Sequence, residues 1–175
     1  MRDFLARWRV PLGFVCGPIV FALARPTRGS IAAGVLVALL GEAVRVWAAG
    51  HLRKLHEVSS SGPYRFVAHP LYLGSSIIGA GFAIACRSAP AALVIAAYLA
   101  LTLSAAIARE EAFLRVRFGD DYDRYRSGLL GNRGEGRGRF SVGEAMRNRE
   151  HRTMLGLAIA VLLLVLKAIF WTGSV

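Results

Sequence analysis

The sequence is poor in cysteine and in recognisable catalytic loops, and each shortage excludes a class of function. Its two cysteines, Cys16 and Cys86, have no paired spacing, so we interpret both as packing residues and not as a disulfide or a metal site. His69 has no histidine or cysteine partner at ligand spacing, and we expect no metal. The chain also lacks a phosphate-binding glycine loop and a serine nucleophile elbow.

Acidic residues are scarce as well. The chain has 11 aspartates and glutamates against 22 lysines and arginines, which gives a formal net charge of +11. On a soluble domain such an excess would suggest nucleic acid, but no nucleic-acid motif accompanies it, and we expect no nucleic acid partner. Basic residues mark the cytoplasmic loops of membrane proteins, so we interpret the charge as topological.

Hydrophobic residues, by contrast, make up 55% of the chain and are gathered into blocks. This composition predicts an all-α integral membrane protein, a single domain over residues 1–175, with five transmembrane helices, cytoplasmic cofactor-binding loops and short surface helices. The predicted spans are residues 10–24, 31–49, 71–86, 89–108 and 154–171. Segments 50–70 and 109–153 are the predicted cytoplasmic, catalytic parts.

Several boundaries can also be predicted from single residues. Ser30 is a fair N-cap for the second span, and Gly119 is a natural stop for a fourth helix that continues past residue 108. Residues 140–152 predict one basic surface helix, with Ser141 and Glu144 as its capping box. Lys167, near the end of the last span, is expected to extend its amine to the membrane surface.

The distribution of basic residues predicts the orientation. The N-terminus and the loops after spans two and four carry most of the lysines and arginines, whereas Arg25, Arg28 and Arg87 lie on the other side. The positive-inside rule therefore predicts a multi-pass protein of the cytoplasmic membrane, with its N-terminus in the cytoplasm and its C-terminus outside. The basic start of the chain has no clear cleavage site, so we expect a retained first helix.

Two polar segments flank the predicted hairpin of spans three and four. Residues 61–74 precede the hairpin and residues 109–126 follow it, so both can meet at its open end. Together they contribute an imidazole, guanidinium groups, adjacent carboxylates and several aromatic rings. Carboxylates take a ribose diol or an ammonium, cationic groups take a carboxylate, and rings stack on adenine or attract a sulfonium. These are the parts of S-adenosylmethionine.

A third polar feature lies inside the second span. Glu42 and Arg45 are three residues apart, on one face of the predicted helix. A charge at mid-bilayer costs roughly 2.5–3.5 kcal/mol on insertion scales, so such residues usually face the protein interior. A structural ion pair and a substrate-binding role are equally open.

Two motifs carry a family resemblance. Residues 61–74 read Ser-Gly-Pro-Tyr, four residues, then His-Pro-Leu-Tyr-Leu-Gly, and residues 110–125 run from Glu-Glu through Phe-Gly to Tyr-Asp-Arg-Tyr. In this order, separated by one hairpin, they resemble the isoprenylcysteine carboxyl methyltransferases and the related phospholipid methyltransferases. Ala68 departs from the family's usual arginine before the His-Pro step, and Arg65 is the residue that could substitute.

The resemblance implies S-adenosylmethionine as cofactor and a lipid or other lipophilic acceptor that enters from the bilayer. The implied cofactor-binding residues are Tyr64, His69, Pro70, Tyr72, Gly74, Glu110, Glu111, Tyr122 and Tyr125. Catalytic candidates are His69, Glu110 and Arg65, with binding favoured over base catalysis for the first two. Candidates for the acceptor's head group are Glu42, Arg45 and Arg109.

Two other functions stay open. A membrane reductase of the sterol-reductase type, dependent on NADPH, has a similar His-Pro-x-Tyr segment and tyrosine-rich tail. A membrane protein without enzymatic activity on the same scaffold is the other, because of Ala68. Glu110 and Glu111 favour the methyltransferase over the reductase, since adjacent acids repel the phosphates of a nicotinamide dinucleotide.

Overall fold

A computed structural model describes residues 2–52, 61–127 and 139–170, and within these ranges the regular structure is helical only. This confirms the all-α prediction. The helices are α1 (Arg2–Leu23), α2 (Arg28–His51), a 3₁₀ helix (Gly62–Arg65), α3 (Pro70–Cys86), α4 (Ala89–Phe118), α5 (Asp120–Arg126), α6 (Val142–Arg147) and α7 (Glu150–Phe170).

Of the described helices, α2, α4 and α7 are long and apolar enough to cross a membrane, whereas Pro11–Leu23 within α1 and Pro70–Cys86 are shorter apolar helices. The five predicted spans thus correspond to five helices, of which three have the length and hydropathy of a crossing. Large apolar side chains on these three helices face outward, among them Leu36, Leu93 and Leu162 at 66%, 71% and 56% exposure. Such faces suit lipid and not water.

The helix boundaries differ from the sequence-based prediction at α2. Its N-cap is Thr27 and not Ser30. The Thr27 hydroxyl accepts a hydrogen bond from the Ser30 amide at 3.2 Å, and the Ser30 hydroxyl accepts one from the Thr27 amide at 2.9 Å. Ser30 is therefore the third helical residue of a capping box. Its hydroxyl makes the bond to the N-cap amide that a glutamate or glutamine side chain usually makes.

The single helix predicted over residues 140–152 is wrong, because Arg149 interrupts it. Arg149 has a φ of 65°, in the left-handed region, so α6 ends at Arg147 and α7 begins at Glu150. Of the predicted capping box, the Ser141 half is confirmed: the Ser141 hydroxyl accepts from the Glu144 amide at 3.4 Å, whereas the Glu144 carboxylate pairs with Arg147. The last span consequently starts four residues earlier than predicted.

The place of Lys167 near the end of α7 predicts an amine at the membrane surface, but the structure instead places this amine inside the bundle. Its side chain is only 8% exposed. The ammonium donates to the carbonyl oxygens of Phe21 and Ala22, the latter at 3.0 Å. These carbonyls belong to the last turn of α1, where no intrahelical donor is available, so Lys167 caps α1.

Helices α2 and α3 pack backbone to backbone along a row of glycines. A Cβ atom placed on Gly41 would lie 2.7 Å from the carbonyl oxygen of Gly74, and one on Gly81 would lie 2.5 Å from that of Gly34. The two helices run antiparallel, since the early glycine of α2 faces the late glycine of α3. Small residues at such a seam let two helices approach closely in a membrane.

Substituting Gly41 by alanine should lower stability by about 1–3 kcal/mol, the usual cost of overpacking. The new methyl group meets backbone atoms, the Gly74 oxygen at 2.7 Å and the Ile78 nitrogen at 2.8 Å, which cannot rotate away. The matched control is Gly156→Ala on α7, where nothing lies within 4 Å. Thermal unfolding in detergent should show a lower midpoint for Gly41→Ala alone, and equal midpoints would contradict the seam.

Several helix ends lie together at one end of the bundle, which we call the site end. They are the last turns of α2 and α4 and the first turns of α3 and α7. Helix α3 packs on both α2 and α4, α1 packs on α4, and α7 packs on α2. With its 30 residues, α4 is about 45 Å long, longer than a hydrocarbon core of about 30 Å. Its last turns, residues 109–118, can therefore reach past the membrane at the site end.

Candidate cofactor and acceptor site

The two polar segments meet through His69 and Glu111. The Nε2 atom of His69 lies 3.1 Å from Oε1 of Glu111, and the two side chains are only 14% and 16% exposed. An ionised carboxylate only accepts hydrogen bonds, so opposite an ionised Glu111 the Nε2 atom of His69 is the donor. The predicted hairpin of spans three and four places both segments at its open end, and the contact of His69 with Glu111 lies there.

The turn before α3 fixes the position of His69. His69 is the N-cap of α3, and Pro70 is the first helical residue, a place where a missing amide hydrogen does no harm. Pro70 is fully buried and so holds the start of the helix. The His69 ring lies 5.8 Å from the Tyr72 ring at an angle of 44°, which leaves the imidazole packed and directed toward α4.

The 3₁₀ helix at Gly62–Arg65 divides its two candidate side chains. It packs on α2, and Tyr64 is buried at 8% exposure. Arg65, the next residue, is exposed. Tyr64 thus belongs to the interior of the site end, whereas Arg65 faces outward.

The end of α4 carries the three charged candidates and then turns back. Glu110 and Glu111 are half-buried and Arg109 is exposed. Gly119, with a φ of 50°, ends the helix as predicted, and α5 packs on α4 after it. Tyr122 on α5 is buried at 1% exposure. The side chain of Tyr125 lies outside the described residues.

Gly74 lies deeper, in the glycine seam. A Cβ atom there would meet the Arg45 Cγ atom at 2.5 Å and the Gly41 carbonyl oxygen at 2.7 Å. Its neighbours are therefore α2 residues, and its role toward a cofactor stays a prediction. Gly74 shares this level of the bundle with the polar pair of α2.

Arg45 is held by an acid that the sequence-based reasoning missed. Its guanidinium donates to both carboxylate oxygens of Glu150, at 2.9 and 3.0 Å from Nη2 and at 3.1 Å from Nε. It also donates to Ser75 Oγ at 2.5 Å, the Leu71 carbonyl oxygen at 3.3 Å and Thr153 Oγ1 at 3.3 Å. Arg45 therefore ties α2, α3 and α7 together.

A signal for this acid was present in the sequence. An arginine inside a span needs an acidic partner, and Glu150 stands four residues before the last apolar block, which begins at Met154. The prediction of one basic surface helix over residues 140–152 places Glu150 outside the membrane and away from Arg45, which the structure corrects.

Glu42 is the less satisfied member of the same cluster. It is 5% exposed, and its Oε2 atom lies 3.8 Å from Arg45 Nε, an ion pair too long for a hydrogen bond. Within the described residues neither of its carboxylate oxygens accepts a hydrogen bond. Two carboxylates thus share one guanidinium, and Glu42 keeps acceptor capacity for a donor or a cation.

The end of α2 is capped by residues around α6. Asn148 Nδ2 donates to the carbonyl oxygens of Ala49 and Leu52 at 2.9 and 3.0 Å. The Ser141 amide donates to the Gly50 carbonyl oxygen at 3.1 Å. These bonds satisfy carbonyls that a helix C-terminus leaves without partners.

Contacts of Phe140 and His51 lead from this cap to the 3₁₀ helix. Phe140 packs on Gly50, where a Cβ atom would collide with its ring, and lies 5.9 Å from the ring of His51. The His51 ring in turn touches Gly62, whose φ is 59° and whose Cβ atom would come within 2.7 Å of it. Helix α6 is thereby connected to the turn that carries Tyr64.

Replacing Asn148 by alanine should loosen this end of the bundle. Two carbonyls lose a donor, at about 1–3 kcal/mol for each group left unsatisfied. Hydrogen–deuterium exchange should rise about tenfold or more over residues 49–52 and 61–67. Gly143→Ala is the control on the same helix, because its Cβ meets only Ser141 Oγ at 3.4 Å. Unchanged exchange in both variants would contradict the connection.

A family model described as phospholipid methyltransferase matches residues 29–121, more than half of the chain. The match contains Glu42, Arg45, the His-Pro turn and both glutamates of α4, and it ends before α6 and α7. A search of curated proteins gave no match, and a search of solved structures gave none either. Among the described residues, no group of three or more histidine, cysteine, aspartate or glutamate side chains could hold a metal ion.

Proposed function

The chain belongs to the phospholipid methyltransferase family, and we propose that it transfers a methyl group from S-adenosylmethionine to a lipophilic acceptor at the membrane. The observation that carries this proposal is the contact of His69 with Glu111, at 3.1 Å. It joins the two motifs on which the resemblance rests, at the end of a hairpin where a water-soluble cofactor and a lipid are both within reach.

The donor set at the site end suits this cofactor. Glu110 and Glu111 are half-buried carboxylates, which attract an ammonium, a sulfonium or a ribose diol. Tyr72 is half-buried and offers an aromatic face to adenine or the sulfonium, whereas Tyr64 and Tyr122, at 8% and 1% exposure, are packed within the protein. We propose that these residues, with His69, Pro70, Gly74 and Tyr125, form the cofactor site. The cofactor supplies an electrophilic methyl group on sulfur.

The reaction is an in-line displacement. When bound, the cofactor would supply a methyl group that a lone pair of the acceptor could take up, with the electron pair of the carbon–sulfur bond left on sulfur. The protein then contributes mainly by positioning the two partners and excluding water. Nε2 of His69 already donates to Glu111, so we assign His69 to orientation and assign Glu110 as the candidate base for an acceptor that loses a proton. Arg65, exposed on its turn, is the third catalytic candidate.

The charges near Glu42 favour an amine head group over a carboxylate as the acceptor. Arg45 would be the partner of an acceptor carboxylate, but its donors are directed at Glu150, Ser75 and the Leu71 carbonyl. Glu42 has acceptor capacity and is buried. Arg109, exposed in the last turns of the long α4, is our candidate for contact with a head-group phosphate.

We also propose that all five apolar helices cross the bilayer, with the site end and the N-terminus in the cytoplasm and the C-terminus outside. The excess of basic residues at the site end supports this orientation. A cytoplasmic site has direct access to a soluble cofactor, while the outward-facing apolar helices give a lipid lateral access.

Isothermal titration calorimetry on detergent-purified protein tests the function. We expect S-adenosylmethionine to bind in the roughly micromolar range, where substrate constants commonly lie, and NADPH to give no heat, because Glu110 and Glu111 repel its phosphates. Binding of NADPH alone would assign the chain to a reductase. Binding of neither would favour a protein without enzymatic activity, in line with Ala68.

A further inference from the structure

The outward side of α6 and its flanks is strongly basic. Arg139, Arg147, Arg149 and Arg152 are all exposed, and we call these four residues the arginine face. One described acid accompanies them, Glu144, whose Oε1 atom lies 3.3 Å from Nη1 of Arg147. The Arg147 side chain is nevertheless 77% exposed, so the face keeps a large excess of positive charge.

Apolar side chains stand between these arginines. Phe140, Val142 and Met146 are 46%, 66% and 54% exposed. Val142 and Met146 are four residues apart and lie on the same side of α6. A short helix that combines basic and exposed apolar side chains is typical of a segment lying in the headgroup layer of a membrane.

The position of α6 in the bundle agrees with this layer. Glu150 opens α7, a helix able to cross a membrane, and Met154 and Leu155 near its start are already 52% and 62% exposed. The arginine face therefore borders the point where α7 leaves the hydrocarbon. The inner side of α6 is occupied by the end of α2, through Asn148 and Ser141.

We propose that the arginine face binds the head groups of anionic phospholipids, and that this binding presses α6 against the end of α2. Phosphate oxygens are the acceptors that guanidinium groups prefer, and each basic residue at an anionic surface adds attraction. The exposed apolar side chains favour lipid over any soluble polyanion. Phe140 contacts His51, and His51 contacts the turn that carries Tyr64. A lipid bound to the arginine face therefore lowers the mobility of this turn.

The test compares two triple variants by native mass spectrometry after release from nanodiscs of phosphatidylcholine with phosphatidylglycerol. Arg139→Gln/Arg147→Gln/Arg149→Gln removes most of the face. Arg25→Gln/Arg28→Gln/Arg87→Gln removes three exposed arginines at the other end of the bundle. The sets are matched, since each contains one left-handed residue, Arg149 at 65° and Arg87 at 48°.

We expect the first variant to lose roughly a hundredfold in phosphatidylglycerol affinity, and the second to retain it. An equal loss in both variants, or none in the first, overturns the proposed surface. Exchange over residues 61–67 should also be slower in nanodiscs with phosphatidylglycerol than in phosphatidylcholine alone, for the wild type and the second variant but not for the first. Exchange that does not depend on lipid overturns the link to the turn. Neither readout requires methyl transfer.

Discussion

Glu111→Gln and His69→Ala should each weaken binding of S-adenosylmethionine by about 10- to 100-fold in calorimetric titrations. A hydrogen bond to a charged group contributes about 1.5–3 kcal/mol, and every 1.4 kcal/mol is about tenfold in affinity. Glu111 would lose the charge that attracts the cofactor's cationic groups. His69→Ala would free Glu111 to move, because the contact at 3.1 Å is what orients it.

Asp123→Asn is the matched control for these two variants. Asp123 is also a carboxylate at the site end, but it lies in a surface pair with Arg115, with the two side chains 61% and 53% exposed. Such pairs contribute little, so affinity should stay within about twofold of the wild type. Equal loss in Glu111→Gln and Asp123→Asn would indicate a general effect of negative charge, and no loss in Glu111→Gln would remove Glu111 from the site.

Arg45→Met should lower the free energy of unfolding by about 3–5 kcal/mol, the largest stability effect we expect from a single substitution. It leaves Glu150 buried, at 5% exposure, without the three hydrogen bonds that Arg45 donates to it. It also leaves the two carboxylates of this polar cluster, Glu42 and Glu150, without their shared cation. Thermal unfolding followed by tryptophan fluorescence measures the change in midpoint.

The double variant Arg45→Met/Glu150→Leu separates a lost partner from lost packing. Replacing both members of a buried pair by apolar residues is often nearly neutral, so part of the stability should return, and the remaining loss is the cost of Glu42, which stays buried without a cation. Arg115→Met is the control, because its partner Asp123 is on the surface and the pair should contribute about 0–1 kcal/mol. A double variant as unstable as the single one would show that Arg45 stabilises the bundle through other contacts.

The meeting of His69 with Glu111 could be predicted from the sequence, since the two motifs flank one hairpin. A helical hairpin brings the residues just before it and just after it to the same end, whatever the details of its packing. Helix α4 likewise continued to Gly119 as predicted, because no proline or glycine interrupts it. In these cases local sequence determines the outcome.

The partners of Arg45 and Lys167 could not be predicted in the same way. Apolar blocks show that a helix is buried in protein or lipid, but they do not show which neighbour it packs on. Lys167 near a helix end fits a surface lysine as well as a cap, and only the position of the last turn of α1 decides between them. Glu150 and Asn148 meet α2 across about a hundred residues of sequence. The sequence shows that Arg45 needs an acidic partner, but local patterns do not show which acid lies beside it.

Methyl transfer to a lipid is measured most directly by following the methyl group itself. Wild-type protein in proteoliposomes containing an amine-bearing phospholipid is incubated with S-adenosylmethionine labelled with tritium in the methyl group, and the extracted lipid is counted. We expect label in the lipid fraction for the wild type and for Asp123→Asn, with at least about a tenfold lower rate for Glu111→Gln. Unlabelled lipid from wild-type protein that binds the cofactor, or equal labelling by Glu111→Gln, would contradict the account.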